Sequence, residues 1–306
     1  MTPPDDSAVL MEGPWTHRHV SANGSRFHVV EAGSGPLVLL LHGFPEFWWT
    51  WRNQIPDLAA AGYRVAAVDL RGYGGSDKPP RGYDGYTLAN DVAGLIRALG
   101  ERDAMIAGHD WGAFLAWTAA AFHPRMIRRI AVLGMAHPLR LRTALATDPR
   151  GQLAASRYLF AFQAPRFEHV VRRNGAQYVG EVLRRWSGPA WRDTQDFAEY
   201  QRVCRAVMGM PQAAFCALEY YRWSVRSLTR PSGWRFASLL ERPIAAPALQ
   251  LHGELDPACL PATALGSGKY VAGNYEWQLL PGVGHFPQAE APEHVTAELI
   301  RWAKED

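Results

Sequence analysis

The chain alternates short apolar runs with longer stretches of helical spacing. Residues 36–43, P-L-V-L-L-L-H-G, form a continuous apolar run ending in a polar residue and a glycine. Residues 63–70 (Y-R-V-A-A-V-D-L), 103–107 (D-A-M-I-A) and 127–134 (I-R-R-I-A-V-L-G) repeat the theme. A run without polar alternation fits a strand covered on both faces, as in a parallel sheet. S-R-F-H-V-V-E-A-G (25–33) alternates instead, as a half-exposed strand and turn would. Helical patterns fall between the strands at 47–60, 87–100 and 112–122; Thr87 is the candidate N-cap of the second and Gly100 its stop. Strand and helix in turn predict an α/β fold with a mostly parallel sheet flanked by helices.

The rhythm breaks over 137–235, which is rich in Arg, Trp, Tyr and Ala at helical spacings. It resumes with strands at 246–253 and 275–281 and a helix at 291–304. The expected organisation is a core from 1–136 and 236–306 with an inserted helical cap at 137–235. Residues 1–14 read as a loose leader.

Composition narrows this picture. The chain has 306 residues, enough for one large core plus a subdomain. A net charge of +3 gives no case for nucleic acid, and the basic runs at 128–130 and L-R-L-R at 139–142 read as solvated helix faces. Twelve tryptophans suggest an aromatic-lined pocket. Cys204, Cys216 and Cys259 are too few and too scattered for a disulfide framework or a zinc site, so buried free thiols in a reducing compartment are expected. Neither a signal-peptide pattern nor a run of about 18 apolar residues occurs, so no membrane span and a cytoplasmic location are expected. R-G-Y-G-G-S-D lacks the third glycine of a dinucleotide loop, and neither cofactor nor metal is expected.

In an open parallel sheet, functional groups collect at the carboxyl ends of the strands. The first buried strand ends in H-G-F-P (His42 to Pro45), the second at Asp69, and the third in G-H-D-W-G (108–112). The strand after the insertion ends in H-G-E-L-D (Asp256), and the last leads into G-V-G-H-F (His285). G-H-D-W-G has the form of a nucleophile elbow, with Asp110 where serine is usual, and no G-x-S-x-G occurs. Serine needs a base before it can attack. An aspartate, with an ordinary pKa of about 3.9, is already an anion at neutral pH. It suits displacement at a saturated carbon and would leave an ester on Asp110. The histidine is then free to activate water against that ester, with Asp256 as the acid that orients it. The backbone N–H groups of Phe44 and Trp111 are the candidate oxyanion donors. Taken singly, Asp110 could be an N-cap, Asp256 a turn former, and His42, His109 and His252 structural. The order nucleophile, acid, histidine at three strand ends favours catalysis.

The segments H-G-F-P-E-F-W-W-T-W-R-N-Q (42–54), D-L-R-G-Y-G-G-S-D-K-P (69–79), G-H-D-W-G, H-G-E-L-D-P and G-V-G-H-F-P-Q-A-E together resemble α/β-hydrolase-fold epoxide hydrolases. The resemblance covers nearly the whole chain and is weakest in the leader and parts of the insertion. It implies two-step hydrolysis of an epoxide to a vicinal diol through an alkyl-enzyme ester, beneath a helical cap. It also implies a cis Pro45 and two cap tyrosines that act as acids on the epoxide oxygen. Tyr158, before F-Q-x-P, maps onto the first. Tyr221, before Arg222, maps onto the second, with Tyr220 its rival. His42, Pro45, His109 and Tyr220 are the further candidate pocket residues. The expected partners are a small apolar or aromatic epoxide and water, with the protein a monomer or homodimer. A haloalkane dehalogenase shares the Asp-His-Asp set, but Phe44 stands where those relatives commonly carry Asn. A non-catalytic ligand-binding relative would be favoured by loss of a triad member, and none is missing.

Overall fold

The computed structural model describes residues 6–304. Among these, β1 (Thr16–Ala22), β2 (Ser25–Ala32), β3 (Leu37–Leu41), β4 (Arg64–Val68), β5 (Ala104–His109), β6 (Ile127–Leu133), β7 (Ala248–Gly253) and β8 (Tyr275–Leu280) form one sheet. Its order is β1-β2-β4-β3-β5-β6-β7-β8. β1 and β2 run antiparallel to their neighbours, and β4 through β8 pair in parallel. Every residue of β3, β5 and β7 is buried, as their unbroken apolar runs require. Each fully buried Leu or Val contributes roughly 1.5–3 kcal/mol.

Helices α1 (Gln54–Ala60), α2 (Gly85–Ala98) and α3 (Trp111–Phe122) follow β3, β4 and β5. The pattern at 47–60 resolves into a single 3₁₀ turn, Trp48–Trp51, followed by α1, with Pro56 tolerated in its first helical turn. Asp84, not Thr87, caps α2. Its Oδ1 accepts the Thr87 N–H at 3.0 Å and its Oδ2 accepts the Thr87 hydroxyl at 2.7 Å, so Thr87 is the third residue of the helix rather than its cap.

Between β6 and β7 the chain is helical: α4 (Pro138–Thr147), α5 (Gln152–Ala155), α6 (Tyr158–Ala161), α7 (Phe167–Trp186), α8 (Gln195–Met208), α9 (Ala213–Ser227) and α10 (Pro231–Leu239). After β7 come α11 (Pro261–Ala264), α12 (Pro287–Glu290) and α13 (Pro292–Lys304). Helices α4, α6, α9 and α10 enclose a cavity together with residues at the ends of β5 and β6.

Two sequence expectations need correction near the N-terminus. Residues 1–5 of the predicted leader lie outside the described residues, but the rest of it is anchored. Val9 is buried, and its carbonyl accepts the Trp48 indole N–H at 2.8 Å. β1, T-H-R-H-V-S-A, escaped the reading because only Val20 and Ala22 of this edge strand are buried.

Candidate active site

Asp110 sits between the end of β5 and the start of α3, at φ 49° and ψ −112°. That conformation is costly for a residue with a side chain, and the surroundings must hold it. The turn is tight enough that a Cβ on Gly112 would lie 2.0 Å from the Leu41 carbonyl oxygen. The H-G-F-P loop approaches as closely: a Cβ on Gly43 would lie 2.4 Å from the Asp110 Cβ. These contacts put the Phe44 N–H on Asp110 Oδ1 at 2.9 Å. The Phe44–Pro45 peptide is cis. Trp111 opens α3, and no hydrogen bond joins its N–H to the Asp110 carboxylate.

His285 Nδ1 lies 2.8 Å from Asp256 Oδ2, and its Nε2 lies 3.6 Å from Asp110 Oδ2. All three side chains are buried. The Ala258 and Cys259 N–H groups donate to Asp256 Oδ1 at 2.8 and 3.0 Å, fixing the second carboxylate oxygen. Burial alone would lower the His285 pKa, but the charges of Asp256 and Asp110 outweigh it and raise the value to about 10. The 3.6 Å separation from Asp110 is an electrostatic contact rather than a hydrogen bond.

The raised pKa has a stability consequence. A group whose folded-state pKa exceeds its unfolded value stabilises the fold fully below the unfolded value, here 6.5. The contribution is lost as pH rises through about 10. Thermal melting should therefore show Tm declining across that alkaline window, and His285→Gln should flatten the decline. Equal slopes in the two proteins would assign the decline to other groups.

Behind His285 lies a buried polar cluster centred on Glu46 of the H-G-F-P-E stretch, a residue the motifs do not single out. Its Oε2 lies 2.6 Å from His109 Nδ1, and His109 Nε2 donates to the His285 carbonyl at 2.7 Å. The Tyr200 hydroxyl donates to Glu46 Oε1, and Gln288 Nε2 donates to the same oxygen at 3.1 Å. Burial would raise the Glu46 pKa, but His109 outweighs it and holds the carboxyl at about 2. The only sequence signal is a lone carboxylate among the aromatic residues of H-G-F-P-E-F-W-W, which demands a partner once buried.

His42, Pro45, His109 and Tyr220, expected in the pocket, do not line it. His42 donates from Nδ1 to the Gly43 carbonyl at 2.8 Å and accepts the Leu70 N–H on Nε2 at 3.0 Å, tying the H-G-F-P loop to the end of β4. His109 is committed to Glu46 and to the His285 carbonyl. The Tyr220 hydroxyl donates to the Arg71 carbonyl at 2.7 Å, which commits it to the loop after β4. Asp69 accepts the Trp48 and Gly75 N–H groups at 2.9 and 2.8 Å and pairs with His28, so it organises loops.

Tyr158 and Tyr221 do line the cavity, with Asp110, Trp111 and His285. Their rings pack edge-on with centroids 6.0 Å apart. The Tyr221 hydroxyl is buried and faces the Trp111 side chain. Burial, and after it the Asp110 charge, pushes both phenols well above their ordinary pKa, which keeps them protonated as donors. The cavity measures about 130 Å³. Cys259 also lines it, and all three cysteines are free and buried. Among the described residues, no cluster of His, Cys, Asp or Glu is placed to hold a metal ion, and no helix is long and apolar enough to cross a membrane.

Residues 36–292 match the α/β hydrolase fold family. Epoxide hydrolase 3 of Xenopus tropicalis is 33% identical over 301 residues, covering 93% of this chain and 76% of that protein. Epoxide hydrolase A of Mycobacterium tuberculosis is 31% identical, covering 95% of this chain and 98% of that one. Among solved structures, an epoxide hydrolase from an endophytic Streptomyces superposes with a TM-score of 0.81 at 30% identity, covering 95% of this chain and 96% of the other. By its elbow, its sheet order and these relatives, the chain belongs to the epoxide hydrolases of the α/β-hydrolase fold family.

Proposed function

We propose that the protein converts an epoxide and water to a vicinal diol through an ester on Asp110, with the helical insertion as a cap over the site. The observation that carries this reading is a carboxylate at the elbow, 3.6 Å from a histidine and beneath two neutral phenols. Phe44 holds Asp110 Oδ1, which leaves Oδ2 to attack an epoxide carbon. The carbon–oxygen bond breaks, and the departing oxygen takes a proton from Tyr158 or Tyr221. Ester formation removes the Asp110 charge, one of the influences that raise the His285 pKa, and so moves that histidine toward the neutral base. His285 then takes a proton from water as the water attacks the ester carbonyl. The Phe44 N–H meets the oxyanion that develops on Oδ1, joined by the Trp111 N–H if it turns to the same oxygen. On collapse the expelled oxygen takes the proton held by His285, the proton of the new Asp110 carboxyl returns to the tyrosinate, and the diol leaves an Asp110 carboxylate with one oxygen from water.

Single-turnover hydrolysis in heavy-oxygen water tests this order of events. The first-turnover diol should carry unlabelled oxygen, and the label should appear in the peptide containing Asp110. Label in the first diol would mean direct attack by water and would overturn the covalent route.

One observation favours a second reading. The Trp111 indole N–H lies on the cavity wall against the Tyr221 hydroxyl and could donate to a departing halide. Phe44 supplies no second side-chain donor, so halide release from bromoalkanes should be far slower than hydrolysis of styrene oxide.

A further inference from the structure

Glu290 closes the G-V-G-H-F-P-Q-A-E stretch and takes part in neither chemical step. It is the last residue of α12, the single turn that follows His285. Its carboxylate folds back over that turn. Oε2 accepts the Gly284 N–H at 2.8 Å, and Oε1 accepts the Phe286 N–H at 3.0 Å. Oε2 also accepts the Gly188 N–H at 2.8 Å, from the helical insertion just beyond α7. The His285 N–H, between the first two, donates to the Trp186 carbonyl at 2.7 Å.

Three consecutive backbone N–H groups, centred on the base, therefore end on Glu290 and on the insertion. Among the described residues they have no other acceptor. The approach is close: a Cβ on Gly284 would lie 2.4 Å from the Trp186 carbonyl oxygen. The Trp186 ring stands edge-on to the imidazole, with centroids 5.0 Å apart. Asp256 sets the orientation of the imidazole through Nδ1, but not the place of the backbone that carries it. Accepting on both oxygens at once requires an ionised carboxylate. An amide in its place has one oxygen, and its NH2 would meet an N–H donor whichever way it turned. Burial pushes the Glu290 pKa up, while the three N–H groups and the His285 charge oppose that shift.

We infer that Glu290 is a positioning residue for the hydrolytic step: its carboxylate fixes the backbone on both sides of His285 and ties it to the insertion at Gly188, so that base and insertion keep one register. This rests on the covalent reading above, because a two-step route gives His285 a step of its own. Glu290 touches neither epoxide nor water and acts through His285. Hydrogen bonds to an ionised acceptor are about twice as strong as neutral ones, which suits a carboxylate to holding a loop. A base displaced by a fraction of an ångström loses rate steeply, since its nitrogen must meet the attacking water in line with the ester. Asp110 is held by its own elbow and by Phe44, so attack on the epoxide does not draw on Glu290.

The experiment measures the two half-reactions separately with styrene oxide. Rapid quench and intact-protein mass spectrometry follow formation of the Asp110 adduct, and then its decay once excess epoxide is removed. Both are first-order rates of the protein that reacts, so a loss of folded material cancels. In Glu290→Gln the decay should slow roughly ten- to a hundredfold, while formation stays near the wild-type rate. Glu254→Gln is the control: this exposed carboxylate accepts the Gly282 N–H of the same loop at 3.0 Å, and its loss should leave both rates unchanged. Gly188→Ala presses on the contact from the insertion, since its Cβ would lie 2.8 Å from Glu290 Oε2. It too should slow decay alone, and it carries the test if Glu290→Gln does not fold. Adduct decay at the wild-type rate in these variants overturns the role. Equal slowing of both half-reactions also overturns it, as does the same slowing in Glu254→Gln. A wild type that hydrolyses styrene oxide with no Asp110 adduct on the way removes the covalent reading, and this role with it.

Discussion

His285→Gln is expected to trap the protein as a covalent adduct. Alkylation needs the Asp110 anion and a proton for the leaving oxygen, and neither comes from His285. Hydrolysis of the resulting ester needs a base against water, and His285 Nε2 faces the Asp110 carboxylate from 3.6 Å. Glutamine keeps a similar shape without a titratable nitrogen. Turnover should fall by roughly 10²–10⁴, the usual contribution of general-base catalysis. Intact-protein mass spectrometry after incubation with styrene oxide should show a gain of one epoxide mass, located on the peptide carrying Asp110. An unmodified variant that still binds epoxide would move His285 into the first step. Sustained turnover would transfer the role of base to another residue, and His109 is poorly placed for it, since Glu46 and the His285 carbonyl occupy both its nitrogens.

The paired substitution of Tyr158 and Tyr221 by Phe should nearly abolish alkylation, with a loss of roughly 10³-fold or more. Either change alone should cost about ten- to a hundredfold, because the remaining phenol still reaches the same alkoxide. Two observations motivate the pairing. Both rings line the cavity that contains Asp110, and both phenols are held in the protonated form by burial and by the Asp110 charge. Pre-steady-state formation of the adduct, followed in the His285→Gln background, isolates this step from hydrolysis. A double variant with near-native alkylation would place the acid elsewhere. Tyr220 would then be the residue to vary next, although its hydroxyl is spent on the Arg71 carbonyl.

The cavity residues differ in how far sequence could foretell them. Asp110, His285 and Asp256 each end a predicted strand, and the sheet brings such ends together, so their meeting follows from strand order. Tyr158 and Tyr221 came from motif resemblance alone. Nothing in local sequence separates Tyr220 from Tyr221, which are adjacent on α9 and equally buried. Successive helical residues point about 100° apart, so packing on the core sends one hydroxyl to the Arg71 carbonyl and the other to the cavity. His42 and His109 looked like pocket residues because they flank glycine and Asp110 in the motifs. Their rings instead satisfy buried backbone and carboxylate groups, a demand that appears only when the loops have packed.

Local sequence sufficed for the alternation of buried strands and helices, for the helical stretch between β6 and β7, and for the carboxylate at the sharp turn after β5. These are local properties: apolar period, strand length and the small residues a sharp elbow needs. Tertiary structure decided which tyrosine lines the cavity with Asp110, that Glu46 and His109 stand behind His285, and that the segment from Val9 to Ala22 packs as an anchored edge. Each depends on contacts between residues far apart in the chain, where one buried polar group must find another. No window of neighbouring residues contains that information.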